Sequence, residues 1–146
     1  MKSISKYLDD YMVVQIATVG EEGPWVCSVY FVADDKLNIY WLSEPHVRHS
    51  KNIELDPRAA ITMAIKTDLP VIGLSAEGKV EIVKDLETVE FVLNKYVDKY
   101  NAGEQFVDRF KKGINKHQLY KFNPDKYVLF DEVNYPDVGS KELKIK

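Results

Sequence analysis

The segment LNIYWLSEPHVRHSKNIELDP, residues 37–57, decides the fold because it joins a strand to a short helix with an unusual start. Its first five residues alternate apolar and more polar side chains, which is typical of a strand. Ser43 can cap the helix that follows, with Pro45 in the first turn. Asp56 and Pro57 predict the end of that helix, because a residue before proline avoids the α region.

The charge at the start of this helix has the wrong sign. A helix N-terminus carries partial positive charge and favours acids, yet His46, Arg48, His49 and Lys51 gather here with only Glu44 to oppose them. Free backbone N–H groups and a guanidinium fork form a cradle the size of a phosphate. The segment is therefore either the binding site of a phosphorylated ligand or a short, solvated basic helix on the surface.

The composition indicates an ordinary globular chain, which we expect to form one domain over residues 1–146. The chain is 45% hydrophobic with a net charge of −3, and this mild acidity argues against nonspecific nucleic-acid binding. Cys27 is the only cysteine, so no intrachain disulfide can form, and its apolar strand favours a core residue over a nucleophile. A signal peptide and a membrane-spanning stretch are both missing, so we expect a cytoplasmic protein without nucleic-acid or membrane partners.

The rest of the chain predicts an antiparallel barrel with peripheral helices. Short strands joined by tight turns favour a closed barrel over a doubly wound parallel sheet. Strands are expected at 12–19, 25–33, 37–42, 58–66, 71–83, 117–122 and 126–133, and helices at 3–11, 85–100 and 104–112. Gly73 and Gly78 interrupt the fifth strand, which indicates a bulge, a bend or a close ligand approach, or only barrel curvature. The tail after residue 133 is draped over the surface, used in assembly or disordered.

Several short motifs resemble the FMN-binding split barrel of the pyridoxamine 5'-phosphate oxidase-like superfamily over residues 12–133. They are IATV at 16–19, GPW at 23–25, IYWLS at 39–43, RH at 48–49, NI at 52–53, DPR at 56–58, the two strand glycines and LYKFNP at 119–124. The resemblance implies a mainly β, Greek-key-type split barrel. It also implies a homodimer with two flavins at the subunit interface.

The resemblance further implies which residues hold the cofactor, FMN. Its phosphate is expected at the helix start, and its isoalloxazine against the second and third strands. Val29, Tyr30 and Trp41 are the expected apolar walls. The implied cofactor-binding residues are Cys27, Ser28, Val29, Tyr30, Leu42, Ser43, Arg48, His49, Lys51 and Ser75.

Departures from the family pattern narrow the chemistry. His49 stands where many relatives carry lysine, and Ser75 near a position where some carry glutamine. The C-terminal arginine and histidine that would recognise pyridoxal phosphate are missing, so vitamin B6 oxidation is not expected. Three histidines in the whole chain are too few for a convincing metal site, and we expect none.

The expected activity is that of an FMN-dependent oxidoreductase acting on a small-molecule redox substrate, with a nicotinamide nucleotide as a candidate donor. The residues identify no catalytic acid or base. Two alternatives remain open: a flavin- or haem-binding protein without turnover, and a deazaflavin-dependent reductase on the same fold. His117 is either a haem ligand or a solvent-facing residue at the start of a strand. An aromatic stripe formed by Tyr96, Tyr100, Phe106 and Phe110 belongs either to the core or dimer packing, or to a lid over the flavin.

Overall fold

The structure is a computed structural model that describes residues 2–113 and 116–146. It contains four helices and eight strands in these ranges. The helices are α1 (Lys2–Asp10), α2 (Arg48–Leu55), α3 (Leu86–Tyr100) and α4 (Gln105–Lys111). The strands are β1 (Val13–Gly20), β2 (Gly23–Tyr30), β3 (Val32–Ala33), β4 (Ile39–Ser43), β5 (Arg58–Lys66), β6 (Ile72–Val83), β7 (Gln118–Asp131) and β8 (Ser140–Lys144).

All the strands belong to one antiparallel sheet in the order β2-β1-β5-β6-β7-β4-β3, with β8 also paired to β7. The expected mainly β, antiparallel split barrel is thereby confirmed. The sheet curls around a core of fully buried side chains that includes Ile16, Trp41, Leu74 and Phe122. A second, smaller cluster packs α3 against the outside of β3 and β4. The cleft described below lies beside this second cluster.

The sheet curls into a half-barrel, where a closed barrel was expected, because its edge strands β2 and β3 do not pair with each other. The gap between these two edges is called the seam below. The predicted strand at 25–33 is interrupted at Phe31, because the chain crosses there from one end of the sheet order to the other. The Tyr100 hydroxyl accepts from the Phe31 N–H at 2.9 Å, and it also lies against the Phe31 carbonyl oxygen. Tyr96 donates across the seam to the carbonyl oxygens of Tyr30 and Tyr40, at 2.9 and 3.1 Å. Helix α3 therefore satisfies backbone groups that the sheet leaves open.

Strand β7 replaces the two short strands that the sequence predicted around Pro124. No turn separates the predicted strands at 117–122 and 126–133, since residues 123–125 continue the strand through a bulge opposite Glu77 and Gly78. Pro124 has no N–H to donate, but on the side of β7 away from β6 no strand pairs with this position. β4 pairs with β7 only as far as Phe122, and β8 begins to pair only at Lys126.

Gly78 is required by that bulge. A Cβ atom at this position would lie 2.1 Å from the carbonyl oxygen of Asn123, which is backbone and cannot move aside. Close approach of two strands, rather than a ligand, therefore explains this glycine. A Cβ at Gly73 would meet nothing within 4 Å, so no such constraint acts there.

The tail forms a strand that the sequence did not predict. Residues of β8 pair with β7 from Lys126 to Phe130, and Leu143 and Ile145 pack against the barrel core. Of the three alternatives for the tail, the structure therefore supports packing on the surface of the domain. No helix in the described ranges is long and apolar enough to cross a bilayer; α3, with 15 residues, is the longest of them.

Candidate functional site

A cleft of about 640 Å³ opens between the barrel and the α3–α4 pair. Strand β2 forms one wall, the end of β4 and the start of α2 form the floor, and the aromatic side chains of α3 and α4 form the other wall. It is lined by Ser28, Val29, Tyr30, Leu42, Ser43, His49, Tyr96, Tyr100, Ala102, Phe106 and His117.

Six of the ten residues expected at the cofactor line this cleft. They are Ser28, Val29, Tyr30, Leu42, Ser43 and His49. The other four lie elsewhere. Cys27 is half-buried in β2, where burial raises the pKa of its thiol, and Lys51 is exposed on α2. Arg48 points toward β2, and Ser75 lies on the outer face of the sheet.

Helix α2 begins later than the sequence predicted, and without a side-chain cap. Ser43 is the last residue of β4 and Pro45 precedes the helix, so the predicted roles of both in the first turn are wrong. Val47 occupies the N-cap position in an extended conformation and supplies no side-chain hydrogen bond. The first turn also contains no acidic residue. The predicted end at Asp56 is confirmed, because its backbone is extended. The start of α2 therefore has free N–H donors that no side chain of the helix satisfies.

The floor of the cleft contains a serine–histidine pair. Ser43 Oγ and His49 Nε2 are 2.7 Å apart, and which group donates depends on the imidazole tautomer. Ser43 is 7% exposed and His49 is half-buried. Burial lowers the pKa of His49, because desolvation disfavours the imidazolium. His49 is therefore neutral near pH 7 and can donate from one ring nitrogen while it accepts at the other.

Arg48 presents a partly unsatisfied guanidinium at the start of α2. Its Cζ atom lies 4.3 Å from the centre of the Trp25 ring, and Nη1 lies 3.7 Å from Glu22 Oε2. Its Nε is buried and has no hydrogen-bond partner. A buried donor without an acceptor costs stability, so this group is suited to receive an acceptor from a ligand.

The aromatic wall differs from the expected one in one residue. Trp41 is 0% exposed and stacks on Tyr120 inside the barrel, so its predicted role as a wall of the flavin site is wrong. Tyr30 and Tyr100 meet edge to face at 5.5 Å, and Tyr96 stacks on Tyr100 at 5.4 Å. The wall is built by these rings and Phe106.

The stripe of helical aromatics thus serves the cleft as well as packing. Tyr96, Tyr100 and Phe106 line it, whereas Phe110 does not. The sequence alone does not decide between these two roles. Helical spacing identifies residues on one face of α3 and α4, but both a core and a lid require such a face.

The chemistry of the cleft is apolar and neutral. Among the described residues no lysine, arginine, aspartate or glutamate lines it. Its polar groups are two serine hydroxyls, three tyrosine hydroxyls and two imidazoles. The second imidazole is that of His117, for which the sequence allowed either a haem ligand or a solvent-facing residue at the start of a strand. No group of three potential metal ligands occurs in residues 2–113 and 116–146. The cleft suits a flat, largely apolar group held by hydrogen bonds rather than by charge.

The outer face of the sheet adjoins the cleft at Ser28. Gln15 Nε2 donates to Ser28 Oγ at 3.2 Å, and Thr62 Oγ1 and Ser75 Oγ are 3.1 Å apart. These four residues form one row across β2, β1, β5 and β6, because Gln15 is in register with both Ser28 and Thr62. Ser75 is therefore three strands from the cleft.

Comparison with known proteins establishes the family. A sequence profile of pyridoxamine 5'-phosphate oxidase matches residues 2–130, and the chain belongs to this family. None of the curated proteins matches the chain.

Many solved structures share the fold, among them the following three. A conserved hypothetical protein, Rv2991 from Mycobacterium tuberculosis, has a TM-score of 0.79 at 18% identity over 92% of this chain and 86% of that one. The haem storage protein HutZ from Vibrio cholerae has a TM-score of 0.67 at 20% identity, over 84% and 88%. A haem-binding protein from Mycobacterium smegmatis has a TM-score of 0.73 at 14% identity, over 97% and 58%. At these identities the likeness establishes the fold alone.

Proposed function

We propose that the protein binds FMN at a homodimer interface and acts as an oxidoreductase on a small molecule. The observation that carries this proposal is the basic, uncapped start of α2 next to a neutral, aromatic-walled cleft. One end suits an anion and the other a flat ring. A phosphorylated ring system needs both features together.

The end of the site at the start of α2 fits the phosphate, because it offers three kinds of hydrogen-bond donor. These are the free N–H groups at the start of α2, the orphaned Nε of Arg48, and the His49 imidazole at the floor of the cleft. Oxygen acceptors bound there would satisfy donors that otherwise have no partner. Lys51 is exposed one turn further along and adds positive charge nearby without lining the cleft.

The ring end fits an isoalloxazine between β2 and the aromatic side chains. Val29 and Leu42 supply apolar surface, and Ser28 and Ser43 supply hydroxyls. When FMN is bound it supplies the electron-transfer chemistry, while the protein binds, orients and excludes water. The Ser43–His49 pair fixes the orientation of the imidazole at the floor.

The second copy of the chain would pack on the outer face of the sheet. A groove of about 330 Å³ there is lined mainly by small side chains, including Ala17, Ala60 and Ser75. Val26 on the same face is 59% exposed. Such an apolar patch favours an interface. Because the face meets the cleft at Ser28, a partner bound to it would border the cofactor and bring its own Ser75 row toward it.

The negative charges of a nicotinamide electron donor would have to be bound outside the cleft. A nicotinamide nucleotide carries phosphates, and no cationic side chain among the described residues lines the cleft. We therefore infer that only the nicotinamide ring of such a donor would enter, stacked beside Tyr30 or Tyr100. Its phosphates would lie at the rim.

Haem is the second candidate ligand. His49 and His117 both line the cleft, and an imidazole is a common axial ligand. Two proteins of the same fold are named for haem storage and haem binding. On this alternative the protein would bind its ligand without turnover.

The first test is an absorption spectrum recorded after the purified protein is mixed with excess FMN and desalted. A retained flavin band supports FMN, and reduction of that band by a nicotinamide donor supports turnover. A Soret band retained after haem addition, with no retained flavin, would replace FMN by haem. Retention of deazaflavin alone would point to the third class of activity.

Sedimentation of the loaded protein tests the assembly. The expected species is a dimer of 16.8 kDa chains. A monomer that keeps full FMN affinity would contradict an interface site. A Val26→Glu variant places an unpaired charge on the outer face and should shift the dimer toward monomer.

A further inference from the structure

A second cleft lies on another face of α2 and shares no residue with the first. Ser50, Ile53 and Glu54, spaced i, i+3 and i+4, turn one side of the helix into a cleft of about 470 Å³. The other walls come from the turn before α2, the end of β6 with the residue that follows it, and the start of β7. They are formed by Pro45, Val80, Ile82, Lys84, Gln118 and Tyr120.

The cleft contains a buried hydroxyl without a partner. Ser50 is 3% exposed, and its Oγ has no hydrogen-bond partner. The Tyr120 hydroxyl lies within its reach as an alternative acceptor, but the two hydroxyls form no hydrogen bond in the structure, and Tyr120 donates its own proton to Gln118 Oε1 at 3.0 Å. Buried polar groups in native proteins are nearly always satisfied. An unpaired hydroxyl that lines a cleft therefore indicates that a polar atom of a ligand binds there.

Two opposite charges line the same cleft without pairing. Glu54 and Lys84 are both exposed, and neither takes part in any ion pair among residues 2–113 and 116–146. Two free charges of opposite sign on one cleft complement a ligand that carries both signs.

We propose that this cleft is a binding site for a small zwitterion of the α-amino acid class. The ligand ammonium would lie against Glu54 and its carboxylate against Lys84. The Ser50 hydroxyl would donate to a ligand oxygen, and the apolar surface of Ile53, Val80 and Ile82 would take the side chain. The site is independent of the cofactor cleft, so it stands whether the bound cofactor is a flavin or haem.

Isothermal titration of the full chain with a panel of L-α-amino acids tests the proposal. At least one should bind with a dissociation constant on the order of 1 mM or lower. Its amide and its N-acetyl derivative should each bind at least about tenfold more weakly, since each removes one charged hydrogen bond. Failure of the whole panel to bind, or derivatives that bind as tightly as the parent amino acid, overturns the proposal.

Variants locate the binding. Lys84→Met and Glu54→Gln should each reduce affinity about tenfold or more. Lys79→Met removes another exposed lysine, on β6 outside the cleft, and should change nothing. A loss of the same size in Lys79→Met would mean that binding follows net charge and not this site.

Ser50→Ala gives a readout that a structural role would not produce. Without ligand, removal of an unpaired buried hydroxyl should leave the melting temperature unchanged or raise it. Affinity for the amino acid should nevertheless fall several-fold. A lower melting temperature without ligand would mean that the hydroxyl already has a partner, and the proposal would lose its basis.

Discussion

Helices α3 and α2 begin in opposite ways. Asp85 caps α3 and accepts from the Thr88 N–H at 2.9 Å, with Glu87 in the first turn. Helix α2 has Val47 at the same position, no side-chain cap and a basic first turn. The start of α3 is arranged for stability, because its donors and its dipole are satisfied within the chain. The start of α2 leaves both to be satisfied by something else.

The largest effect on this contrast is expected from Arg48→Ala. The variant removes the orphaned guanidinium donor, so FMN affinity should fall by about 1.5–3 kcal/mol, the range for a charged hydrogen bond. Fluorescence titration of FMN measures it. Arg58→Ala, at the far side of α2, is the matched control and should bind as the parent does. If Arg48→Ala binds FMN as tightly as the parent does, the phosphate does not bind at the start of α2.

A cap placed on α2 should bring the two helices closer together in behaviour. Val47→Ser supplies a hydroxyl for the free N–H groups, whereas Val47→Ala makes a similar cut in apolar surface without one. The serine variant should unfold at a free energy about 1 kcal/mol higher than the alanine variant, measured by urea denaturation without cofactor. It should bind FMN more weakly, because hydroxyl and phosphate compete for the same donors. Tighter FMN binding in the serine variant would show that those donors are not used.

Removal of the cap from α3 is the reverse experiment. Asp85→Ala should destabilise the protein by about 1 kcal/mol, since the Thr88 N–H loses its acceptor. The carboxylate is exposed and far from the cofactor cleft, so FMN affinity per folded molecule should not change. Chemical denaturation and a flavin titration at equal folded fraction measure the two quantities. A matching loss of FMN affinity would contradict the division of labour between the helices.

The smallest expected effect concerns pH and His49. Burial lowers the pKa of this imidazole in the folded state below its usual value of 6.5. The unfolded chain therefore takes up the proton first, and stability should fall as the pH falls from 6.5 through the lowered pKa. His49→Gln should flatten this part of the stability profile in the protein without cofactor.

The same residue should act with the opposite sign on ligand binding. A protonated His49 adds positive charge beside the phosphate, so FMN affinity relative to that of His49→Gln should rise over the pH range in which apoprotein stability falls. Titrations of both proteins between pH 7.5 and 5.5 measure the trend, since the variant keeps the response that comes from the phosphate itself, whose second pKa is about 6. The same pH response in both proteins would place the phosphate out of reach of His49.

The sequence predicted most of the sheet but not where strands change partners. The sequence of β6 alternates because one face of the strand lies on the core, and such a pattern is readable locally. The sequence of β1 is a nearly continuous apolar run, which predicts burial on both faces, yet only alternate residues of β1 are buried. Pro124 lies inside β7 because neither β4 nor β8 pairs with it there. The strand breaks at Phe31 because β2 and β3 lie at opposite edges of the sheet. Both are settled by pairing across the sheet, about which the local residues carry no information.

The same limit applies to the candidate site. Six of the ten residues predicted from the motifs line one cleft. They lie together because the fold places β2, the end of β4 and the start of α2 side by side. The side chain of Trp41 alternates with Tyr40 and Leu42, and both faces of β4 are covered. Periodicity alone therefore cannot say which face meets the ligand. The direction of the Arg48 side chain depends on Trp25, a contact between distant parts of the chain.

The Phe31 amide gives the molecule a reporter of its own motions. Its hydrogen bond goes to the Tyr100 hydroxyl and not to a neighbouring strand. Hydrogen exchange at this one amide therefore measures how often α3 lifts from the barrel, while amides in β1 measure global opening. Tyr100 also lines the cleft, so occupancy can be followed at a residue outside the cleft wall.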